Sequence, residues 1–171
     1  MGEESDYREN FADGIFTHTF LNVHDYHRFH FPLSGTVKEV IHIPAQAALG
    51  GRTVWDAETG RYLLIITDPG WQTIKTRGLV LLETADYGYV AILPVGMSQI
   101  SSVLFENTVT PGAKVNKGDP LGRFLFGGSD IIMLFEKEAG FEITVPPADN
   151  VHEHRLMGQE YGRFRRALSG I

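Results

Sequence analysis

Cysteine is absent from all 171 residues, so neither a disulfide nor a thiolate metal site is available to this fold. Basic residues are the minority, 15 against 21 acidic ones, and the net charge is -6. That balance argues against a nucleic-acid footprint. It also opposes adhesion to a strongly anionic membrane unless charge is locally sorted. No apolar run reaches the length of a membrane span. The opening Met1-Gly2-Glu3-Glu4-Ser5-Asp6 is acidic, unlike a signal peptide. Walker loops, Gly-x-Ser-x-Gly elbows, dinucleotide fingerprints and His-Glu-x-x-His pairs are missing as well. Helix signals are thin, confined to Glu3 to Phe11 and part of Val151 to Ala167. These absences predict one domain, 1–171, in the cytoplasm and at most peripheral at the inner face of a membrane, with no nucleic-acid partner.

What is present reads as short strands. Thr36 to Ile43, Tyr62 to Thr67, Leu79 to Thr84 and Tyr89 to Val95 are rich in apolar and β-branched residues and end at turn signals such as Asp68-Pro69-Gly70. Leu121 to Phe126 and Ile131 to Phe135 flank Gly127-Gly128-Ser129-Asp130. With 19 glycines, the chain is predicted to be mainly β, a compact sandwich or barrel-like single domain with few short helices. It also contains an echo. Val109-Thr110-Pro111 and Val145-Pro146-Pro147 open two similar units. Lys117-Gly118-Asp119-Pro120-Leu121-Gly122-Arg123-Phe124 then parallels Met157-Gly158-Gln159-Glu160-Tyr161-Gly162-Arg163-Phe164. Such duplicated units are similar to the hammerhead hairpins of biotinyl and lipoyl carrier domains, although no lysine occupies a carrier-type Met-Lys-Met tip.

Two stretches carry the candidate chemistry. Gly127 and Gly128 admit backbone angles closed to other residues, so the Ser129 Oγ can approach the Gly128 carbonyl; the bland alternative is a glycine-rich turn with an exposed serine. Far upstream, His24, His27 and His30 concentrate imidazoles, with His18, His42, His152 and His154 elsewhere. Imidazole titrates near neutrality and suits proton transfer. Neutral histidines at this spacing can also bind zinc, but Arg28 inside the cluster opposes a cation, so no metal is expected. Asp25 either orients a histidine or caps a turn.

The segment Asp25-Tyr26-His27-Arg28-Phe29-His30-Phe31-Pro32, followed at a distance by Lys117-Gly118-Asp119-Pro120-Leu121-Gly122-Arg123-Phe124 and by Phe126-Gly127-Gly128-Ser129, resembles the phosphatidylserine decarboxylase family. Asn10 to Phe16 and Phe20-Leu21 look like its lead-in, and Val95-Gly96-Met97 with Ile100 to Val103 like its Gly-rich strand. The likeness runs from about Tyr7 to Phe135. It implies self-cleavage at Gly128-Ser129 by an N-to-O acyl shift and elimination, giving a β-chain, 1–128, and an α-chain, 129–171. Ser129 would become a pyruvoyl group, the only cofactor, without metal or pyridoxal phosphate. Within the resemblance His30 serves chiefly self-cleavage, and His27 protonates the substrate after carbon dioxide leaves. The substrate, an amine-bearing carboxylate, would be held as a Schiff base.

The chain also departs from the family. The usual upstream Asp-Gly motif, whose carboxylate assists cleavage, has no counterpart here, since Asp13-Gly14 aligns with the later lead-in. Thr76-Arg77-Gly78 keeps only the arginine of an Asn-Glu-Arg element, the Val-Asn-Pro element is missing, and Gly-Gly-Ser-Asp replaces Gly-Ser-Thr. Three functions follow as expectations. The first is conversion of phosphatidylserine to phosphatidylethanolamine, as in phospholipid biosynthesis. The second is decarboxylation of a soluble, aromatic amino acid, as in the family's soluble branch. The third is an uncut, inactive binding module. A homo-oligomer is compatible with each.

Overall fold

A computed structural model describes residues 5–45, 52–65, 75–96, 102–125, 129–144 and 153–165. Strand β1 (Ile15–Leu21) lies at one edge of a six-stranded antiparallel sheet. That sheet is completed by β3 (Gly35–Ile43), β6 (Arg77–Glu83), β7 (Tyr89–Gly96), β9 (Lys114–Val115) and β11 (Ser129–Phe135), in the order β1-β11-β7-β6-β3-β9. A three-stranded sheet, β2 (Arg28–His30), β10 (Pro120–Phe124) and β8 (Val103–Phe105), has β10 in the middle. Two hairpins, β4 (Arg52–Asp56) with β5 (Arg61–Ile65) and β12 (Phe141–Ile143) with β13 (Gly162–Phe164), complete the described strands.

The large sheet buries both faces, which explains why Leu79-Val80-Leu81-Leu82 reads as an unbroken apolar run rather than an alternation. Successive side chains on a strand point to opposite faces. Val80, Leu82, Val90, Ile92 and Phe135 point inward with Phe29, Leu121, Phe124 and Val103 of the small sheet, forming the main core. Leu79, Leu81, Ala91 and Leu93 point outward and are covered in part by Tyr7 and Phe11. The expected sandwich of short strands is therefore observed, with its core between the two sheets.

Helical expectations fare differently. The N-terminal signal yields a 3-10 turn at Arg8–Phe11, and its first residues lie outside the described ones. The C-terminal signal fails among the described residues, because 153–165 contain a turn and β13 but no helix. Gly158 is the reason at the turn, with φ +88, a left-handed angle that a helix interior rejects. No helix among the described residues is long and apolar enough to cross a membrane.

The sequence echo has a structural counterpart. In both copies a four-residue turn closes from the fourth N–H to the first carbonyl, Asp119 to Asn116 and Gln159 to Leu156, each at 3.0 Å. The fourth side chain then accepts from the first N–H, at 2.7 Å in both. The third residue is a left-handed glycine, Gly118 (φ +91) or Gly158 (φ +88). Gly-Arg-Phe follows in strand conformation in each. Residues 145–152, which open the second copy, lie outside the described ones.

Candidate active site

Ser129 is the first residue of β11 and is completely buried. It is a strand residue rather than the tip of a turn, with Leu21 opposite on β1 and Gly96 opposite on β7. Gly127 and Gly128 lie outside the described residues. The glycine at 96 sets no side chain against the serine from that strand.

His27 meets Ser129 from the small sheet. Its Nδ1 lies 2.9 Å from the Ser129 Oγ, and its Nε2 lies 2.9 Å from the Asn22 carbonyl oxygen. A carbonyl can only accept, so Nε2 carries the proton and Nδ1 offers a lone pair. The serine hydroxyl therefore donates to His27. This is the arrangement of a nucleophile and its general base, with a backbone carbonyl doing what a carboxylate does in a hydrolase triad. The Phe124 ring lies edge-on to the imidazole, with centroids 6.3 Å apart, and the Phe124 N–H donates to the His27 carbonyl at 3.0 Å.

Asp25 acts one step back. Its Oδ2 accepts from the Asn22 N–H at 2.8 Å, and its own N–H donates to the Asn22 carbonyl at 3.0 Å. The carboxylate closes the tight turn whose carbonyl fixes the His27 tautomer, so capping and orienting are one arrangement. His154 approaches the other oxygen, Oδ1, at 4.0 Å.

His30 is placed elsewhere. Its Nδ1 donates to the Gly118 carbonyl at 2.9 Å, its Nε2 accepts from the Tyr26 hydroxyl at 3.0 Å, and the two rings stack. Both nitrogens are occupied on the outer side of the small sheet, away from Ser129. Of the two histidines singled out in the sequence, the structure brings only His27 to the serine. Of the other histidines in the sequence cluster, His24 has no place in this set of bonds. Among the described residues no three His, Asp or Glu side chains are grouped to hold a metal.

A pair that sequence reading passed over lies on the opposite face of β11. Asp130 is fully buried and its Oδ2 is bonded to the His18 Nε2. This bond holds the His18 imidazole above its ordinary value of 6.5, against the opposing effect of burial. A raised histidine contributes stability that is whole below about pH 6.5 and is lost as pH rises through the folded value. The departure from the usual Gly-Ser-Thr at Asp130 was the available signal; its partner, 112 residues away, was not.

The C-terminal segment carries four arginines, Arg155, Arg163, Arg165 and Arg166, and the described ones are individually paired. Arg155 pairs with Glu153, Arg163 with Glu160 at 2.7 Å and Arg165 with Glu142 at 2.5 Å; Arg166 lies outside the described residues. An open cleft lined by Ile15, Phe141, Ile143 and Arg163 lies at the far end of β11, where Ile15 pairs with Phe135. It is too distant to serve Ser129.

The chain matches the phosphatidylserine decarboxylase family over residues 1–164. It is 31% identical to a phosphatidylserine decarboxylase proenzyme of Shewanella sediminis over 81% of this chain and 51% of that protein. It is 33% identical to an L-tryptophan decarboxylase of Psilocybe cubensis over 78% of this chain and 32% of that one. It is 34% identical to phosphatidylserine decarboxylase proenzyme 2 of Oryza sativa over 67% of this chain and 17% of that one. The chain thus spans about half or less of the length of these three relatives. No solved structure matches it. A buried serine held by a histidine at the sequence positions where the motifs fall, and a match across nearly the whole chain, place this protein in the phosphatidylserine decarboxylase family.

Proposed function

We propose that this chain carries the catalytic core of a pyruvoyl-dependent decarboxylase that cuts itself between Gly128 and Ser129 and acts on phosphatidylserine. The observation that carries this reading is the Ser129–His27 contact with its tautomer fixed from behind. His27 takes the Ser129 hydroxyl proton as Oγ adds to the Gly128 carbonyl. The new C–O bond replaces the C–N bond, and the freed Ser129 nitrogen takes up a proton. Loss of the Ser129 Cα proton then expels Gly128 as a carboxylate, and hydrolysis releases the nitrogen as ammonia. A pyruvoyl group formed there supplies an electron-accepting carbonyl. It would remain joined to Asp130 through the backbone, buried against His27, which is within reach to hold or return a proton at the reacting position.

The lipid reading draws on the rim of the site. Leu125, next to Phe124, is 54% exposed, and Leu156 and Met157, on the loop that brings His154 to Asp25, are 63% and 61% exposed. Arg28 and Arg123, paired across β2 and β10 on the outer face of the small sheet, share the single carboxylate of Glu106, at 3.9 and 3.2 Å, which leaves an excess cation on that face for a lipid phosphate. Apolar side chains with nearby arginines suit an interface where the acyl chains stay in the bilayer. The identity to an L-tryptophan decarboxylase favours a soluble amino acid as the second reading.

Intact-mass measurement tests the cleavage. Wild type should give two chains, 1–128 and 129–171, and Ser129→Ala one. Carbon dioxide release from phosphatidylserine vesicles should exceed that from free amino acids. A single full-length chain in active wild type overturns the pyruvoyl reading. Turnover of free tryptophan with none on vesicles replaces only the substrate.

A further inference from the structure

Cutting before Ser129 would create a problem that the His18–Asp130 pair is built to solve. Before the cut, the first residues of β11 are tied to the rest of the chain on both sides. Afterwards Ser129 is a chain end, and the ends of strands fray unless they are fixed. The reacting group would then sit on the least constrained residue of the sheet. Small displacements at a reacting centre are expensive, since misplacement by about 1 Å can cost roughly 100-fold in rate.

β11 is gripped at this end from both faces. On the inner face Ser129 contacts His27. On the outer face Asp130, with no exposed surface, contacts His18 on β1. His18 stands opposite Ile132, and Asp130 opposite Phe20, so the ion pair runs diagonally across two rungs of the ladder and resists sliding of one strand along the other. A carboxylate carries a penalty of several kcal/mol when buried unless it is paired, so Asp130 strongly favours the one register in which His18 can reach it. The two partners would belong to different chains after the cut, His18 to 1–128 and Asp130 to 129–171.

We propose that the His18–Asp130 pair is a positioning clamp that holds the Ser129 end of the C-terminal chain in register between β1 and β7 after cleavage. The upward shift of His18, caused first by its bond to Asp130, agrees with the pairing seen in the geometry. The catalytic part of this inference rests on the decarboxylase reading; the mechanical part does not.

The test compares wild type, His18→Gln, Asp130→Asn and the double variant, all nearly isosteric. Hydrogen exchange of the 130–132 amides should quicken about 10- to 100-fold in each variant, while the amides of β6 and β7 near Leu81 and Ala91 keep their protection. Intact mass and titration of the carbonyl with phenylhydrazine should show cleavage and a full pyruvoyl complement. In that cleaved material kcat, on phosphatidylserine vesicles or on L-tryptophan if wild type uses it, should fall about tenfold or more. KM should stay within twofold. The double variant should lose less than the product of the two single losses, because the two residues share a contact.

Unchanged exchange at 130–132 would overturn the clamp. So would quickened exchange with undiminished kcat, or losses that multiply in the double variant. An uncut wild type would instead defeat the decarboxylase reading, and mass measurement reports that separately from exchange, which still decides the clamp on the intact chain.

Discussion

The turns at Asn116–Asp119 and Leu156–Gln159 are built alike and lead into the same Gly-Arg-Phe strand, yet among the described residues only the first is hydrogen-bonded to the histidine segment, while the second touches the site no further than its rim. The strand of the first copy, β10, lies in the middle of the small sheet between β2 and β8. His30 is fastened to its turn glycine at Gly118, and His27 rests against its terminal Phe124. Among the described residues the strand of the second copy pairs with β12 alone, and its Phe164 enters an aromatic cluster with Tyr87, Phe135 and Phe141. The turn chemistry is a scaffold that either copy can use. What makes the first copy part of a site is the neighbour it acquired, the Tyr26–His30 segment, with one histidine at each end of β10. One of those histidines faces the core and the serine; the other fastens the scaffold.

That division gives the largest expected contrast. His27→Ala should slow appearance of the 129–171 chain by about 100- to 10,000-fold, the range for loss of a positioned base. His30→Ala should slow it by less than about tenfold, since it removes a hydrogen bond to the Gly118 turn, worth about 1 kcal/mol. Time courses of intact mass after expression of the two variants check this. Equal rates would erase the distinction between a reacting and a fastening histidine. Slower processing in His30→Ala would restore the order that the family resemblance implies.

Much of this scaffold is legible in the amino-acid sequence. The runs at 36–43, 79–84 and 89–95 coincide with β3, β6 and β7 to within two residues at either end, because β-branched and apolar density bounded by turn residues marks a buried strand. Ser129 and His27 are legible through motif. What stays hidden depends on folding. Successive residues of a strand face opposite ways, so the three-residue spacing of His27 and His30 cannot by itself say which one faces Ser129. The register of β1 against β11, which brings His18 to Asp130, leaves no local signal in either segment. The expectation of helix near the C-terminus fails at Gly158 and Gly162, where the turn and the close packing of the second copy prevail over a few helix-forming residues.

Glycines at equivalent places in the two copies offer a finer break. A Cβ at Gly122 would lie 2.3 Å from the Leu104 carbonyl oxygen and 2.6 Å from the Phe29 ring. The first neighbour is strand backbone and cannot yield without moving β8. At Gly162 the nearest atom would be the tip of the Phe141 ring at 2.2 Å, with the Glu142 carbonyl oxygen at 2.8 Å. A side-chain ring, even one buried and stacked on Phe135, can shift further than sheet backbone. Gly122→Ala should therefore cost about 3 kcal/mol or more and Gly162→Ala about 1 to 2 kcal/mol, as overpacking does in general. Thermal or denaturant unfolding measures both. Gly122→Ala should also retard cleavage, because β10 carries Phe124 against His27, whereas Gly162→Ala should leave the cleavage rate within about twofold. Comparable retardation by both would mean that the second copy also supports the site.

The smallest contrast lies in the side chains that close the turns. Asp119 accepts from the Asn116 N–H as a carboxylate, and Gln159 accepts from the Leu156 N–H as a neutral amide. A charged acceptor makes the stronger bond, though solvent at these exposed turns reduces the advantage. Asp119 has further work, since its carbonyl accepts from the Phe31 N–H at 3.0 Å while the Gly118 N–H donates to the Phe31 carbonyl at 2.9 Å. A loosened first turn therefore disturbs the segment just beyond His30, and a loosened second turn reaches no such partner among the described residues. Asp119→Ala should cost about 1 kcal/mol and Gln159→Ala about half as much. Asp119→Asn should recover part of the loss, because the amide oxygen can still accept. Denaturant midpoints read at constant slope separate these values. A larger loss at Gln159 than at Asp119 would show that the second turn, not the first, is the firmer of the two scaffolds.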